Sequence, residues 1–314
     1  MTCIVTGAAG FIGSHLCRRL LKKGFSVIGI DSFTDFYPKW IKNKNILPLM
    51  RDKKFEFIAE DINSIGLTKL LNRSDYVFHL AAQAGVRTSW GHNFSVYTKN
   101  NIEATQKLLE AVKDTKIKKF IYASSSSVYG LCPELPISET SPLYPFSPYG
   151  VTKLAAEHLC YLYYKNFGLP LVSLRFFTVY GPGQRPDMAF HKFFKTIAEG
   201  EQISIFGDGK QTRDFTFIDD IIEANFASLE NGKPGETYNI GGGTRKKLED
   251  IIPIIEKICE KKAEIIWEEK RKGDVLHTFA NIEKARKDLN YSPKTQIEDG
   301  LKEEWTWLRL LYSS

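Results

Sequence analysis

Cys3-Ile4-Val5-Thr6-Gly7-Ala8-Ala9-Gly10-Phe11-Ile12-Gly13 lies at the start of the chain, and its reading decides the fold. A short apolar run ends at Thr6. Three glycines follow at three-residue spacing, and the next segment repeats apolar residues helically through Phe11, Leu16, Leu20 and Leu21. Strand, glycine turn and helix in that order open a dinucleotide-binding βαβ unit. Glycines let the backbone approach a pyrophosphate at the helix N-terminus, where free N–H groups and the dipole stabilise negative charge. Gly7, Gly10, Phe11, Ile12 and Gly13 are the first candidate cofactor contacts. The spacing is GxxGxxG, not GxGxxG, so the following elements must carry part of the argument.

They do. Phe25–Ile30 reads as a second strand ending in Asp31. A carboxylate there accepts hydrogen bonds from an adenosine ribose and repels a 2′-phosphate, which selects NAD over NADP. Phe55–Ile58 is a third strand, followed by Asp61 and Ile62 where an adenine could be edged. The fourth, Tyr76–Leu80, ends in Ala81 and Ala82, small enough for a cofactor to lie close; His79 within it reads as a packed core residue. Lys119–Ala123 and Leu171–Phe176 complete six strands, with helical stretches at 94–113 and from Tyr149 to about Phe167. The alternation predicts an α/β fold, a Rossmann-type doubly wound parallel sheet. Gly7, Asp31, Ala81, Ser125 and Phe176 all fall at strand ends, so they share one crevice. After 176 the alternation weakens. The expected division is an NAD-binding domain at 1–176, with a return segment near 212–242, and a smaller α/β cap at 177–211 and 243–314.

Tyr149-Gly150-Val151-Thr152-Lys153 places a phenol and an amine one helical turn apart, on one face. A tyrosine is ordinarily too weak a base near neutrality. Lowering its pKa by about 3 units takes roughly 4 kcal/mol, which a neighbouring ammonium in a closed site can supply. The pair is a candidate proton-transfer device. The helix is expected to bury Leu154, His158, Leu159 and Leu162.

The 314 residues carry 43% hydrophobic and 25% charged side chains and a net charge of +6. The lysines are scattered, which argues against a nucleic-acid surface. Five cysteines without CxxC spacing and six histidines without a Cys/His cluster give no metal site and suit reduced thiols. No apolar run of membrane-spanning length occurs, so a cytoplasmic protein with no membrane partner is expected.

GAAGFIG (7–13), SSSSVYG (124–130), YGVTK (149–153), RFFTVYGPGQRP (175–186) and GDGKQTRDFTFIDD (207–220) together resemble the extended short-chain dehydrogenase/reductases. Within them the chain is similar to nucleotide-sugar epimerases and decarboxylases, and most like UDP-glucuronate 4-epimerases. The resemblance implies a tightly bound NAD with no net redox, and a UDP-sugar as substrate. It also implies Tyr149 as general base on the sugar 4-hydroxyl, and Lys153 binding the nicotinamide ribose and keeping Tyr149 acidic. The family's catalytic Ser or Thr falls at Ser125. Asn101 and Phe176 fall near the cofactor, beside Leu80, Ala81 and Ala82. Arg213 and Arg271 match arginines that hold the diphosphate. Related decarboxylases carry Glu at the position of Ser127, so the serine argues against CO₂ loss. Ser126, Ser127 and Thr178 are candidate partners of a substrate carboxylate, while Arg185 is left between carboxylate and ribose or diphosphate. The family's usual pairing implies a homodimer through helices 94–113 and 153–167. The alternatives are a UDP-glucose or UDP-N-acetylglucosamine 4-epimerase, a UDP-glucuronate decarboxylase, and a catalytically silent NAD-sensing scaffold.

Overall fold

The computed structural model describes residues 1–313. Six strands, β1 (Thr2–Thr6), β2 (Ser26–Ile30), β3 (Phe55–Ile58), β4 (Tyr76–His79), β5 (Lys119–Ser125) and β6 (Leu171–Phe176), join Thr237–Ile240 in one seven-stranded sheet. All pairings are parallel, and the order is Thr237–Ile240, β6, β5, β4, β1, β2, β3. The order reverses between β1 and β4, the switch point where such a sheet opens a crevice beyond its carboxyl ends.

Alternation along each strand feeds two cores. Cys3 and Val5 of β1, Phe78 of β4 and Ile121 of β5 belong to one; Ile4, Val77 and Phe120 belong to the other. Both faces are therefore covered, which is why these strands read as continuous apolar runs. The first core includes Phe11, Leu16, Cys17 and Leu20 of the helix Phe11–Lys22, against which the helix Ile218–Asn231 packs. The second includes Leu108 and Val112 of Ala104–Val112 and Ala156, Cys160 and Tyr163 of Pro148–Phe167.

Residues 212–242 divide between two sheets. The strand Thr212–Phe217 sits between Thr178–Tyr180 and Arg245–Lys247 in a three-stranded sheet, whereas Thr237–Ile240 completes the large one. Gln202–Phe206 pairs in parallel with Glu264–Glu268. The helix Ile297–Tyr312 buries Ile297, Leu301, Leu308 and Leu311, and also Glu304.

Ser147 accepts a hydrogen bond from the Gly150 N–H (3.1 Å) and Pro148 takes the first turn, so the helix Pro148–Phe167 starts at a capped N-terminus. Gly168, at φ +68°, ends it. Its inward face corrects the sequence reading. The buried residues are Gly150, Thr152, Lys153, Ala156, Glu157, Cys160 and Tyr163; His158 and Leu162 are exposed, while Leu154 and Leu159 are half-buried. Polar partners on the sheet take the charged side chains inward and leave Val151, Tyr161, Leu162 and Phe167 at the surface.

Candidate active site

A cavity of about 810 Å³ runs along the carboxyl ends of the strands. Gly7, Gly10, Phe11, Ile12, Gly13, Asp31, Asp61, Ile62, Leu80, Ala81, Ala82 and Phe176 line it. A side chain at Gly13 would put its Cβ 2.1 Å from the Gly7 carbonyl oxygen, and one at Gly7 would meet the Ala81 nitrogen at 2.9 Å. The turn is thus closed to any residue but glycine at both points. Asp31 accepts the Ala9 N–H at 3.1 Å and the Phe33 N–H at 2.8 Å, and Lys42 stands 3.6 Å away. The carboxylate is held at the end of β2, facing the glycine turn. These residues fit a dinucleotide: a bare-backbone cradle at a helix N-terminus and an acid at the next strand end.

Ser125, Tyr149 and Lys153 open onto the same cavity. Lys153 is buried. Its Nζ donates to the Ala123 carbonyl at 2.7 Å and lies 5.0 Å from the Tyr122 ring centroid. Burial pushes its pKa down to about 8, against the opposing pull of the Glu157 carboxylate. The phenol departs from expectation. Burial raises Tyr149 above its ordinary value, and the groups that pull it down are the Ser125 hydroxyl and the Arg185 guanidinium. The ammonium is committed to the Ala123 carbonyl. The first cation acting on the phenol is therefore Arg185.

Ser126, Ser127 and Thr178 form the neighbouring wall. Ser125 Oγ accepts the Ser127 N–H at 3.1 Å and caps a short turn over 126–128. A Cβ at Gly150 would lie 2.5 Å from the Ser127 carbonyl oxygen, so the serine run rests directly on the first turn of the Tyr149 helix. Arg185 lines the cavity from the loop 181–187 and forks onto Asp187 with two 2.9 Å hydrogen bonds. That loop is fixed at three points. The Gly181 N–H donates to Glu304 Oε2 at 2.8 Å, His15 Nε2 meets the Pro182 carbonyl at 2.8 Å, and Gln184 bridges to His191. Burial lowers His15 to about 4, so its ring is neutral and donates to Pro182.

Three candidates lie elsewhere. Asn101 is off the cavity wall, which its neighbour Asn100 lines. It sits in a π-helical turn, Thr98–Glu103, where its side chain accepts the Gln83 N–H (2.7 Å) and donates to Thr152 Oγ1 (2.9 Å). Thr152 in turn donates to the Tyr149 carbonyl, so Asn101 braces the Tyr149 helix. Arg213 is also off the wall; its Nη1 donates to the Thr212 and Leu276 carbonyls. Arg271 pairs with Glu268 and borders an adjoining groove, with its guanidinium 4.7 Å from the Phe206 centroid. His79 is buried between Thr6 and Thr105, a core residue as read from the sequence.

The sequence reading passes over Arg87 and Asp274, both on the cavity wall. Arg87 donates to Asp274 from Nη2 (2.7 Å) and Nε (3.3 Å) and lies 4.3 Å from the Phe206 centroid. Arg87, Arg213 and Arg271 thus gather around Phe206 and Asp274 and form a cationic end. The pair spans 187 residues, and no local pattern marks it. A Cβ at Gly273 would meet Val86 at 3.2 Å and Trp90 at 3.3 Å, so the Lys270–Asp274 loop docks closely on the Arg87 segment.

Residues 3–241 match the model of the NAD dependent epimerase/dehydratase family. The chain is similar to a UDP-glucuronic acid 4-epimerase from Bacillus cereus, solved with UDP-glucuronic acid and NAD. Identity is 50%, the TM-score is 0.97, and 99% of this chain and 100% of that one are covered. It is 43% identical to the UDP-glucuronate 4-epimerase of Thermodesulfobacterium geofontis, over 97% of this chain and 95% of that protein. It is 49% identical to an uncharacterized UDP-glucose epimerase of Bacillus subtilis, over 99% of each.

Proposed function

Because the chain belongs to the NAD dependent epimerase/dehydratase family, we propose that it is an isomerase that inverts C4 of UDP-glucuronate to give UDP-galacturonate. One observation carries the substrate choice. The wall beside Tyr149 presents Ser126, Ser127, Thr178 and Arg185, hydrogen-bond donors suited to a carboxylate, with no acidic side chain at 127.

NAD, when bound, supplies a reversible hydride acceptor at C4. Gly7, Gly10, Gly13, Asp31, Asp61 and Phe176 would hold it. Tyr149 takes the 4-hydroxyl proton and returns it after the ring has turned. Ser125 shares that proton's hydrogen bond, Arg185 supplies the positive charge that favours the phenolate, and Lys153 would hold the nicotinamide ribose. Arg185 meets the carboxylate, a role supported by its place on the cavity wall with Ser126, Ser127 and Thr178. Arg87, the arginine of this end that is on the cavity wall, meets the diphosphate, with Arg213 and Arg271 beside it adding positive charge.

Oxidation at C4 makes a β-keto acid that readily loses CO₂. Serines at 126 and 127 restrain the carboxylate without adding negative charge beside it. A UDP-glucose epimerase is the second reading, favoured by the Bacillus subtilis relative. UDP-glucuronate, UDP-glucose and UDP-N-acetylglucosamine offered separately decide between them. The expected result is UDP-galacturonate of unchanged mass from the first and little turnover of the others. Preferential conversion of UDP-glucose would overturn the uronate reading, and a product lighter by CO₂ would make the protein a decarboxylase.

The reading includes a cytoplasmic homodimer. Phe94, Val96, Val151, Tyr161, Leu162 and Phe167 stand between 37% and 53% exposed along the two helices of the expected interface. Cys3, Cys17, Cys132, Cys160 and Cys259 are free thiols, which suits a reducing compartment. Sedimentation should give twice the chain mass at micromolar concentration, and Leu162→Glu should give the monomer. A wild-type monomer there would refute the dimer.

A further inference from the structure

Beneath the serine run lies a buried ion pair that the roles above leave unused. Arg175 donates from Nη2 to Glu157 Oε1 at 2.5 Å and from Nε to Oε2 at 3.1 Å, and both residues are less than 10% exposed. Glu157 lies outside every motif quoted above, and Arg175 opens the 175–186 motif without a role assigned to it.

The partners of this pair are the two ends of the serine run. Ser124 Oγ donates to Glu157 Oε2 at 2.6 Å. Arg175 Nη1 donates to the Tyr129 hydroxyl at 2.7 Å, and that hydroxyl donates to Asn239 Oδ1 at 2.6 Å. Ser124 immediately precedes Ser125, and Tyr129 follows Val128, so Ser125–Ser127 hangs between two anchors on one pair. Glu157 is also one turn beyond Lys153, which is one turn beyond Tyr149. Arg175 is level with Ser124 across the sheet and precedes Phe176 on the cavity wall. One guanidinium–carboxylate fork thus ties the end of β5, the end of β6 and the Tyr149 helix together. A buried pair adds little net stability over apolar residues of the same volume, but a fully satisfied one fixes geometry. Ser124, Tyr129 and Asn239 are each no more than 3% exposed, so water offers no competing partner.

We propose that Glu157 and Arg175 are positioning residues that set the Ser125–Ser127 hydroxyls against the Tyr149–Lys153 face, and so decide whether the keto acid is returned or loses CO₂. The second half rests on the UDP-glucuronate reading. In the loss, the C5–C6 bond breaks and its electron pair moves to the 4-ketone as an enolate. A proton is taken up at C5, CO₂ leaves, and the two electrons removed at C4 stay on the cofactor.

Ser124→Ala and Tyr129→Phe each remove one anchor and leave both charges paired, so they test the proposal without stranding a buried ion. Turnover, bound NAD, Tm and CO₂ release from UDP-glucuronate labelled at C6 are measured on each. A serine run displaced by a fraction of an ångström should lower kcat about tenfold or more. KM should change less than kcat, NAD content should hold, and labelled CO₂ should appear. Wild-type kcat and no CO₂ from both variants would overturn the proposal. So would a loss that only follows NAD content and Tm, since that is what mere support of the fold predicts. Should the wild type leave UDP-glucuronate unchanged, the substrate reading fails. The same variants, assayed by kcat on whichever UDP-sugar the wild type converts, still decide the positioning role.

Discussion

Tyr149→Phe should lower kcat by about 10²- to 10⁴-fold, the usual worth of a positioned proton-transfer group. Bound NAD and Tm should change little. The ring keeps its edge contact with Tyr97, centroids 6.3 Å apart, and only the hydroxyl is lost. The phenol is held above its ordinary value by burial. Wild-type turnover should therefore climb with pH through and above neutrality, as the phenolate fraction of Tyr149 grows. The variant's residual turnover should lack the rising limb. Retained turnover in Tyr149→Phe removes the base assignment, and NAD loss on its own would point to a binding role instead.

Ser127→Glu should raise KM for UDP-glucuronate by about 100-fold while affecting UDP-glucose much less. Two carboxylates about 4 Å apart repel by roughly 4 kcal/mol at an effective dielectric constant near 20, and a tenfold change in binding corresponds to about 1.4 kcal/mol. Solvent in the open part of the cavity reduces that repulsion, so 100-fold is the expected scale. Substrate that still binds has its carboxylate displaced from Ser126 and Thr178, and labelled CO₂ should be released. An unchanged preference for the uronate, with no CO₂, would show that the serine wall does not read the carboxylate.

The sheet and its crevice are legible in the sequence because each strand is a local signal and the glycine turn announces its own geometry. Gly13 is glycine because a carbonyl stands 2.1 Å from its missing Cβ. The helix Pro148–Phe167 misleads for a physical reason. The apolar pattern points His158 and Leu162 inward, but Ala123, Ser124 and Arg175 supply partners for Lys153 and Glu157 that only the folded sheet brings near. The small sheets are equally hidden, since Gln202–Phe206 finds its partner at Glu264–Glu268. At the cationic end, Arg87 becomes notable only once Asp274 is folded against it. Asn101 is placed near the cofactor by the family pattern, and in the fold its amide bonds to Gln83 and Thr152.

The missing side chain at Gly150 has an engineering consequence. The Ser127 carbonyl rests on the helix that carries Tyr149, while Ser126 and Ser127 line the cavity. Backbone and recognition are thereby separated: the main chain is a fixed socket, and the two side chains are exchangeable fittings. Libraries that vary positions 126, 127 and 178 with Gly150 held constant should retune which sugar is accepted without dismantling the proton-transfer centre, and any substitution at 150 should damage every substrate alike.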